Sequence, residues 1–520
     1  MEDALYRSHQ QQVSSLTGGD AVELLGTLGE EAATRADEPV LTRLIAEADR
    51  IRTTVADTSE ERAALEYYTG NALSSLHAIS AQANGTVWAW DQPSLRQAIY
   101  RYRRALITAA PMSPSARGRA IQTMVNLGNA MSHIGRSFDA IEQYDRAEQL
   151  HPRFAMAVGN RGFALMHLAR WLYDPSHRFL AMRKAWNDMR NAIAMPETLE
   201  SHAGEGFRQA VAQIESVYGT EQLHAEPDWP QDPIGVTDDE RVYRRWCYQH
   251  RLFLNDLADI LPPTVSATDP TSLPSIVSPL KSPVQFYGLF NLMKQEFATA
   301  RWLCFSGLTA SQSHFADREV LIYDTLDYPC HAVAVEQARI GLRAAFSVLD
   351  KVGLFINAYW RLGHDESQVY FRSVWFVKRD PKKGLSPSLA GLQNWPLRGL
   401  FALSQDLADK DLQEVLDPAS QSLQELRHKL EHQFVKVVEP ISPALDPTAT
   451  PRMLADPKMV VYLSRNDLEA KAIRVLQLVR RALLHLTMSV QAEEERRAHV
   501  RGDGRIGEIE MLSVPDDQKR

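Results

Sequence analysis

Between residues 423 and 434 the chain reads LQELRHKLEHQF, a stretch dense in groups that hold phosphate or move a proton. Arg427 is followed by four residues and then His432, with His428 and Glu431 alongside. A guanidinium stays protonated and presents a planar fork to phosphate oxygens. An imidazole titrates near neutral pH and serves as general acid or base. The same residues have plainer readings. On a continuous helix Arg427 and Glu431 are four apart and form an ordinary surface ion pair. His428 and His432 are also four apart, a spacing that suits a solvated pair or a zinc site. Cysteine and carboxylate partners at metal-ligand spacing are missing, so no metal and no cofactor is expected.

Other chemistry is absent from the sequence. There is no GxxxxGK[ST] phosphate loop and no His-Glu dipeptide to begin a zinc-protease motif. One G-x-G-x-x-G occurs, at Gly502, Gly504 and Gly507, but it follows a charged helical stretch with almost no chain after it. A dinucleotide-binding unit needs a strand before and a helix after. Cys247, Cys304 and Cys330 are too few and too dispersed for a disulfide framework, and they fit a reducing compartment. The formal net charge of -8 argues against a generally basic surface for duplex DNA, though not against a local basic groove. The N-terminus lacks a basic-then-apolar leader pattern, and apolar runs are broken by charge before the ~18 residues of a membrane span. The expectation is a soluble, cytoplasmic protein with no membrane partner.

The elements that must position these groups are mostly helical. A chain of 520 residues is long enough for about three domains. Over the first 220 residues apolar positions recur at helical spacing. From Ile121 a 34-residue unit places Leu127, Gly128, Met131, Ala140, Tyr144, Ala147 and Pro152 at the positions of the tetratricopeptide-repeat signature. Gly128 and Ala140 let two helices approach, Leu127, Met131 and Tyr144 fill the seam, and Pro152 stops the second helix. Looser copies flank it. Gly70 precedes Ala98, Tyr102 and Ala105. Arg161, Gly162 and Leu165 precede Ala185, Met189 and Ala192, with ARWLYDPSHRFL read as an insertion. A helical pair over about 15–57 and a helix over 198–220 cap the stack. One repeat cannot bury its own apolar face, so stacking is required.

Residues 226–284 are proline-rich and read as a connector, with Trp246, Leu252 and Phe253 stapling it to a core. From about 285 to 500 the chain is helical again. REVLIYDTLD and VYFRSVWFVKRD look extended, and the last long helix is expected to be capped by Asn466 or Asp467. Residues 501–520 read as a tail. Tyr370, Phe371, Trp375 and Phe376 are expected in the core, RYRR (101–104) and RVYRR (241–245) on solvated helix faces, and EEERR (493–497) at a charged helix end. The fold class is therefore mainly α: an α-solenoid of tetratricopeptide repeats over 1–225, then a helical bundle with minor β segments.

The stretches EQARIGLRAAFSVLDKVGLFINAYW, VYFRSVWF, NWPLRGLFALSQDL and LRHKLEHQF, in this order, resemble the bacterial branch of the HEPN superfamily that joins tetratricopeptide repeats to a C-terminal HEPN domain. That resemblance implies a metal-independent endoribonuclease whose domains pair, so that Arg and His of two protomers face one RNA-binding cleft. Arg427 would hold the scissile phosphate. His432 would take the 2′-hydroxyl proton or protonate the leaving 5′-oxygen, leaving a 2′,3′-cyclic phosphate. His428 and Glu431 would orient them, and Asp350 is a further candidate for a supporting carboxylate. Helix geometry bears on this: five residues at ~100° each set Arg427 and His432 roughly 140° apart on a straight helix. A homodimeric site, or a helix that starts or bends near Arg427, brings them together.

Two readings follow. In one, the repeats sense a protein or peptide trigger in their groove and the C-terminal domain cuts RNA, as toxin and anti-phage HEPN ribonucleases do. In the other, the repeats recruit partners and the C-terminal bundle is a catalytically silent dimerisation module.

Overall fold

The computed structural model describes residues 2–57, 59–108, 113–229, 234–278, 285–311, 313–407, 430, 434–439, 441–442, 445, 459–501 and 511–519. Helices dominate. The N-terminal part is a solenoid of antiparallel hairpins: α1 (Glu2–Gln12), α2 (Gly18–Thr34), α3 (Glu38–Arg52), α4 (Glu60–Ala83), α5 (Pro93–Thr108), α6 (Pro114–His133), α7 (Ser137–Leu150), α8 (Ala155–Ala169), α9 (Pro175–Ile193) and α10 (Ser201–Tyr218). Helices α2/α3, α4/α5, α6/α7 and α8/α9 pair as hairpins, and α2, α4, α6, α8 and α10 stack on one side. Starts are set by side-chain caps. Asp37, Ser59 and Ser113 accept from Val40, Arg62 and Ala116 N–H at 3.1, 3.0 and 3.2 Å.

The hairpin seams follow the sequence pattern. A Cβ at Gly70 would lie 2.6 Å from the Tyr102 ring, at Gly128 2.5 Å from Tyr144, and at Gly162 2.6 Å from Met189. Only glycine lets each facing side chain lie flat on the opposite helix. Ala98, Ala140 and Ala185 are fully buried at the matching close-packing positions. The segment read as an insertion is different: α8 ends at Ala169 and α9 begins at Pro175, so PSHRFL is the first turns of α9, capped by Asp174.

The connector packs onto a core through Trp246, Leu252 and Phe253. After α11 (Thr220–His224), α12 (Asp238–Gln249) and α13 (Pro263–Ser266) lead into a chain path that buries Trp246, Cys247, Leu252, Phe253 and Leu254. Arg301 of α14 (Gln285–Thr309) ties it down, donating to the Leu252 carbonyl and Tyr243 hydroxyl at 2.8 Å each and pairing with Asp269 at 2.7 Å.

The bundle packs α14 against α15 (Val333–Tyr359), with the short α16 (Pro387–Ala390), then α17 (Trp395–Gln405) and α18 (Arg465–Arg501). Helix α18 is a shared spine. Its Leu483, Leu486 and Val490 belong to the bundle core, and its Leu484 and Met488 to the solenoid core. Two strands absent from the sequence reading, β1 (Phe434–Val438) and β2 (Val460–Ser464), pair in parallel with Phe434 opposite Val460. Val435, Val437, Val461 and Leu463 turn inward. The start of α18 also corrects the expectation. Ser464 is the cap, accepting from Asp467 N–H at 3.0 Å while Asp467 accepts from Ser464 N–H at 3.2 Å. EEERR lies near the charged end of α18, with Glu493 and Glu494 buried and paired with Arg496 and Arg497. No described helix is long and apolar enough to cross a membrane.

Candidate functional site

Arg427, His428, Glu431 and His432 lie outside the described residues. Leu430, within the same motif, is described and is buried in the bundle core together with Val435. Asp350 is on α15, half-buried, with its carboxylate 3.4 Å from the Phe371 N–H. It lines a small cavity of about 30 Å³ with Phe346, Tyr370, Arg372 and Leu407. Leu407 is the last described residue before the stretch that carries Arg427. Of the aromatics expected in the core, Phe371, Trp375 and Phe376 are buried, but Tyr370 is 44% exposed at this cavity. Among the described residues no group of three or more His, Cys, Asp or Glu is arranged to hold a metal ion.

A second feature was not legible in the sequence: a chain of buried charges joining the solenoid to the bundle. Asp406, at the end of α17, accepts from Arg103 of α5 at 3.2 Å through both oxygens and from Arg136 at 2.7 Å. Arg136, the cap residue of α7, also forks onto Asp139 at 2.7 and 3.1 Å. Asp139 in turn pairs with Arg481 of α18 at 2.8 Å, and Arg481 reaches Glu142. Burial alone would push the Asp406 carboxyl up, and Arg103 and Arg136 outweigh it, holding it below the usual carboxylate range. The same balance, set by Arg136 and Arg481, lowers Asp139. RYRR is thus not a solvated face. Arg103 is buried in this network, Tyr102 fills a seam, and Arg101 pairs with Glu66 at 3.1 Å.

The junction is also close in the backbone. Gly135 leaves α6 with φ of 92°, and a Cβ on Gly399 of α17 would fall 2.2 Å from the Gly135 carbonyl oxygen. Arg398 donates to the carbonyls of Val87 and His133, and Trp90 donates to the Leu392 carbonyl at 3.1 Å. Beneath the network His485 of α18 is fully buried against Phe138, and burial pushes its pKa down to about 3.

The solenoid has its own polar site. Tyr102 O–H and Asn126 Nδ2 both donate to Asn71 Oδ1, at 3.0 and 2.9 Å. One hairpin along, Tyr144 O–H and Asn160 Nδ2 both donate to Asn129 Oδ1, at 2.8 and 3.0 Å. Part of this ladder borders a cavity of about 240 Å³, with Glu30, Tyr68 and Ser74 on its walls. The signal was present in the sequence as asparagines beside each seam glycine: Gly70-Asn71, Asn126-Leu127-Gly128-Asn129 and Asn160-Arg161-Gly162.

Comparison with known families defines the class of the second half. Residues 277–493 match the family described as LA2681-like HEPN, so a HEPN-family domain occupies that stretch. The match covers α14, α15, α17 and most of α18, and it spans the LRHKLEHQF motif in sequence. A comparison with curated proteins gives no match.

Proposed function

We propose that the protein is a metal-independent endoribonuclease whose HEPN domain cuts RNA and whose solenoid governs when it does so. The observation that carries this reading is the HEPN-family match over residues 277–493, with Arg427-x4-His432 inside it. Arg427 neutralises the phosphate as charge builds on its non-bridging oxygens. His432 takes the 2′-hydroxyl proton, the 2′-oxygen attacks phosphorus, and the 5′-oxygen leaves with a proton from a general acid. A cyclic phosphate and a 5′-hydroxyl result. His428, Glu431 and Asp350 are positioning candidates.

The solenoid is read as tetratricopeptide repeats on its glycine seams, and its asparagine ladder as the groove for a protein or peptide trigger. A homodimeric site is favoured by an uncovered apolar strap. Val320, Leu321, Ile322 and Tyr323 are 47–78% exposed in a non-helical segment that leads to the Pro329 bridge with Val438 of β1. With Phe315, Leu326 and Tyr328 this strap offers several hundred Å², on the order of one side of a standard interface. A role as a toxin or anti-phage effector in the cytoplasm completes the proposal.

The test is cleavage of a mixed RNA pool in EDTA by the wild type, Arg427→Ala and His432→Ala, with product ends mapped. EDTA-resistant cuts ending in cyclic phosphate, lost in both variants, are expected. A folded dimer that leaves RNA intact, with and without cell lysate as a source of trigger, would return the protein to the scaffold reading.

A further inference from the structure

The segment that lines the Asp350 cavity continues into a closed basic turn. Val377 N–H donates to the Gly384 carbonyl at 3.0 Å and Ser386 N–H to the Trp375 carbonyl at 2.8 Å, so residues 378–383 project from a pinned base. That base is rigid. Trp375 is fully buried, its indole N–H bonds the Phe371 carbonyl at 2.7 Å, and its ring and that of Phe376 pack on Phe401 of α17. The turn is internally bonded as well, from Lys383 N–H to the Asp380 carbonyl at 2.9 Å and from Arg379 N–H to the Phe376 carbonyl at 2.8 Å. Lys378 and Arg379 hold φ of 52° and 59°, a region L side chains rarely adopt. Such outliers cluster at binding sites.

The turn carries Lys378, Arg379, Lys382 and Lys383 against the single carboxylate Asp380. Asp380 Oδ1 accepts the Lys382 backbone N–H at 3.0 Å, so it serves the turn. Among the described residues, the ammoniums of Lys378, Lys382 and Lys383 make no ion pair, and all three side chains are exposed. Arg379 is held by neutral oxygens of Gln368 at 2.9 and 2.6 Å, and Asp365, whose carboxyl it helps to lower, opposes its charge in part. This is a fixed positive tip on a chain of net charge -8. Arg372, exposed, and Tyr370, 44% exposed, stand at the cavity end of the same segment.

We propose that the 370–383 segment is a docking surface for single-stranded RNA, its Lys378, Lys382 and Lys383 ammoniums contacting phosphates and Tyr370 stacking a base. The inference rests on the ribonuclease reading and adds where the strand lies. Lysines act as point charges on a sequence-independent backbone, whereas a carboxylate partner favours paired arginine forks. A membrane surface favours apolar side chains at the tip, and residues 378–384 contain none larger than proline. Aromatic stacking beside a cationic track is how single strands are held without sequence preference.

The experiment measures binding of a 2′-O-methyl oligoribonucleotide, which cannot be cut through its 2′-oxygen, across a salt series. Lys378→Gln/Lys382→Gln/Lys383→Gln should reduce the slope of log Kd against log salt by about 2. Tyr370→Ala should weaken binding roughly 5- to 100-fold with the slope unchanged. Both should keep the wild-type urea midpoint. A wild-type slope and affinity in the triple variant would overturn the proposal. So would displacement of the RNA by polyglutamate as effective as displacement by RNA of equal charge, which would mark an acidic protein as the partner. If the slope falls as expected but wild-type protein never cleaves natural RNA, the docking surface stands and the ribonuclease reading fails. If cleavage occurs and the slope does not move, this inference alone fails.

Discussion

The hairpin seams of the solenoid and the junction between solenoid and bundle solve the same problem, two helical layers in close contact, by opposite means. At Gly70–Tyr102 and Gly128–Tyr144 a flat ring lies on a bare backbone, and the gain is packed apolar area. At the junction the centre is ionic: Asp406 and Asp139 share Arg103, Arg136 and Arg481 with almost no solvent. Apolar seams tolerate small shifts, because packing energy falls off gradually. A buried ion network does not, because losing one partner leaves a charge with neither water nor counter-ion. The solenoid is thus built to be a stack, and the junction to have one register.

The largest break in that contrast is Asp406→Ala. It leaves the guanidiniums of Arg103 and Arg136 buried without their shared carboxylate and should cost about 3–5 kcal/mol. Urea unfolding followed by far-UV dichroism would measure it. A cost below the seam variants would show that the network is more hydrated than its geometry implies.

A smaller effect is expected within a seam. Gly128→Ala puts a methyl 2.5 Å from the Tyr144 ring and should destabilise by about 1–3 kcal/mol. Gly118→Ala on the same helix meets nothing within 4 Å and should be neutral or stabilising by roughly 0.5–1 kcal/mol. The pair separates the crowding at the seam from the helix preference of alanine.

The third test uses pH. His485 has its folded pKa pushed down to about 3, so above its unfolded value both states are neutral and it contributes no pH dependence. As pH falls below about 6.5 the unfolded chain takes up a proton that the folded chain refuses. Stability should then drop by on the order of 1 kcal/mol per pH unit. Asp139 and Asp406, both lowered, contribute stability that is present above their unfolded pKa and lost as pH falls through their folded values. His485→Leu should make the decline between pH 6 and 4 shallower, with His133, pushed down to about 4 by burial, keeping part of it, and leave the more acidic loss in place. Thermal melts over that range check the sign, and an unchanged slope in the variant would mean that another group carries it.

What the sequence made legible was local and periodic. Gly128 and Tyr144 sit within one 34-residue unit, and their contact follows from spacing alone. Arg103 was misread for the opposite reason: its partner lies 303 residues downstream, where no helical period reaches. Glu493 and Glu494 look solvated beside two arginines, and it is the Tyr359 O–H at 2.6 Å and the Val277 N–H at 3.1 Å, both donating to Glu494, that show the helix end is covered. Strands β1 and β2 are five residues each, too short to stand out in a sequence whose α18 is rich in the same aliphatic residues. For the site, the sequence supplied the motif and Asp350. The exposure of Tyr370 and the pinned basic turn after it depend on Trp375 and Phe376 being buried against Phe401, which is a tertiary fact.

The charge network also has a history in each molecule's synthesis. Arg136 emerges from the ribosome 270 residues before Asp406, and Asp139 emerges 342 residues before Arg481. At ~5–20 residues per second, roughly 15–70 s pass between the first charges and their partners. During that interval the newborn solenoid presents Arg103, Arg136 and Asp139 to water, where hydration keeps them soluble and gives no reason to bury them. The surface that later becomes a buried ionic contact is, for the nascent chain, an open polar face. The junction can therefore close only when translation is nearly complete, so a prematurely truncated chain would carry a solenoid without the contact that sets its register on the HEPN domain.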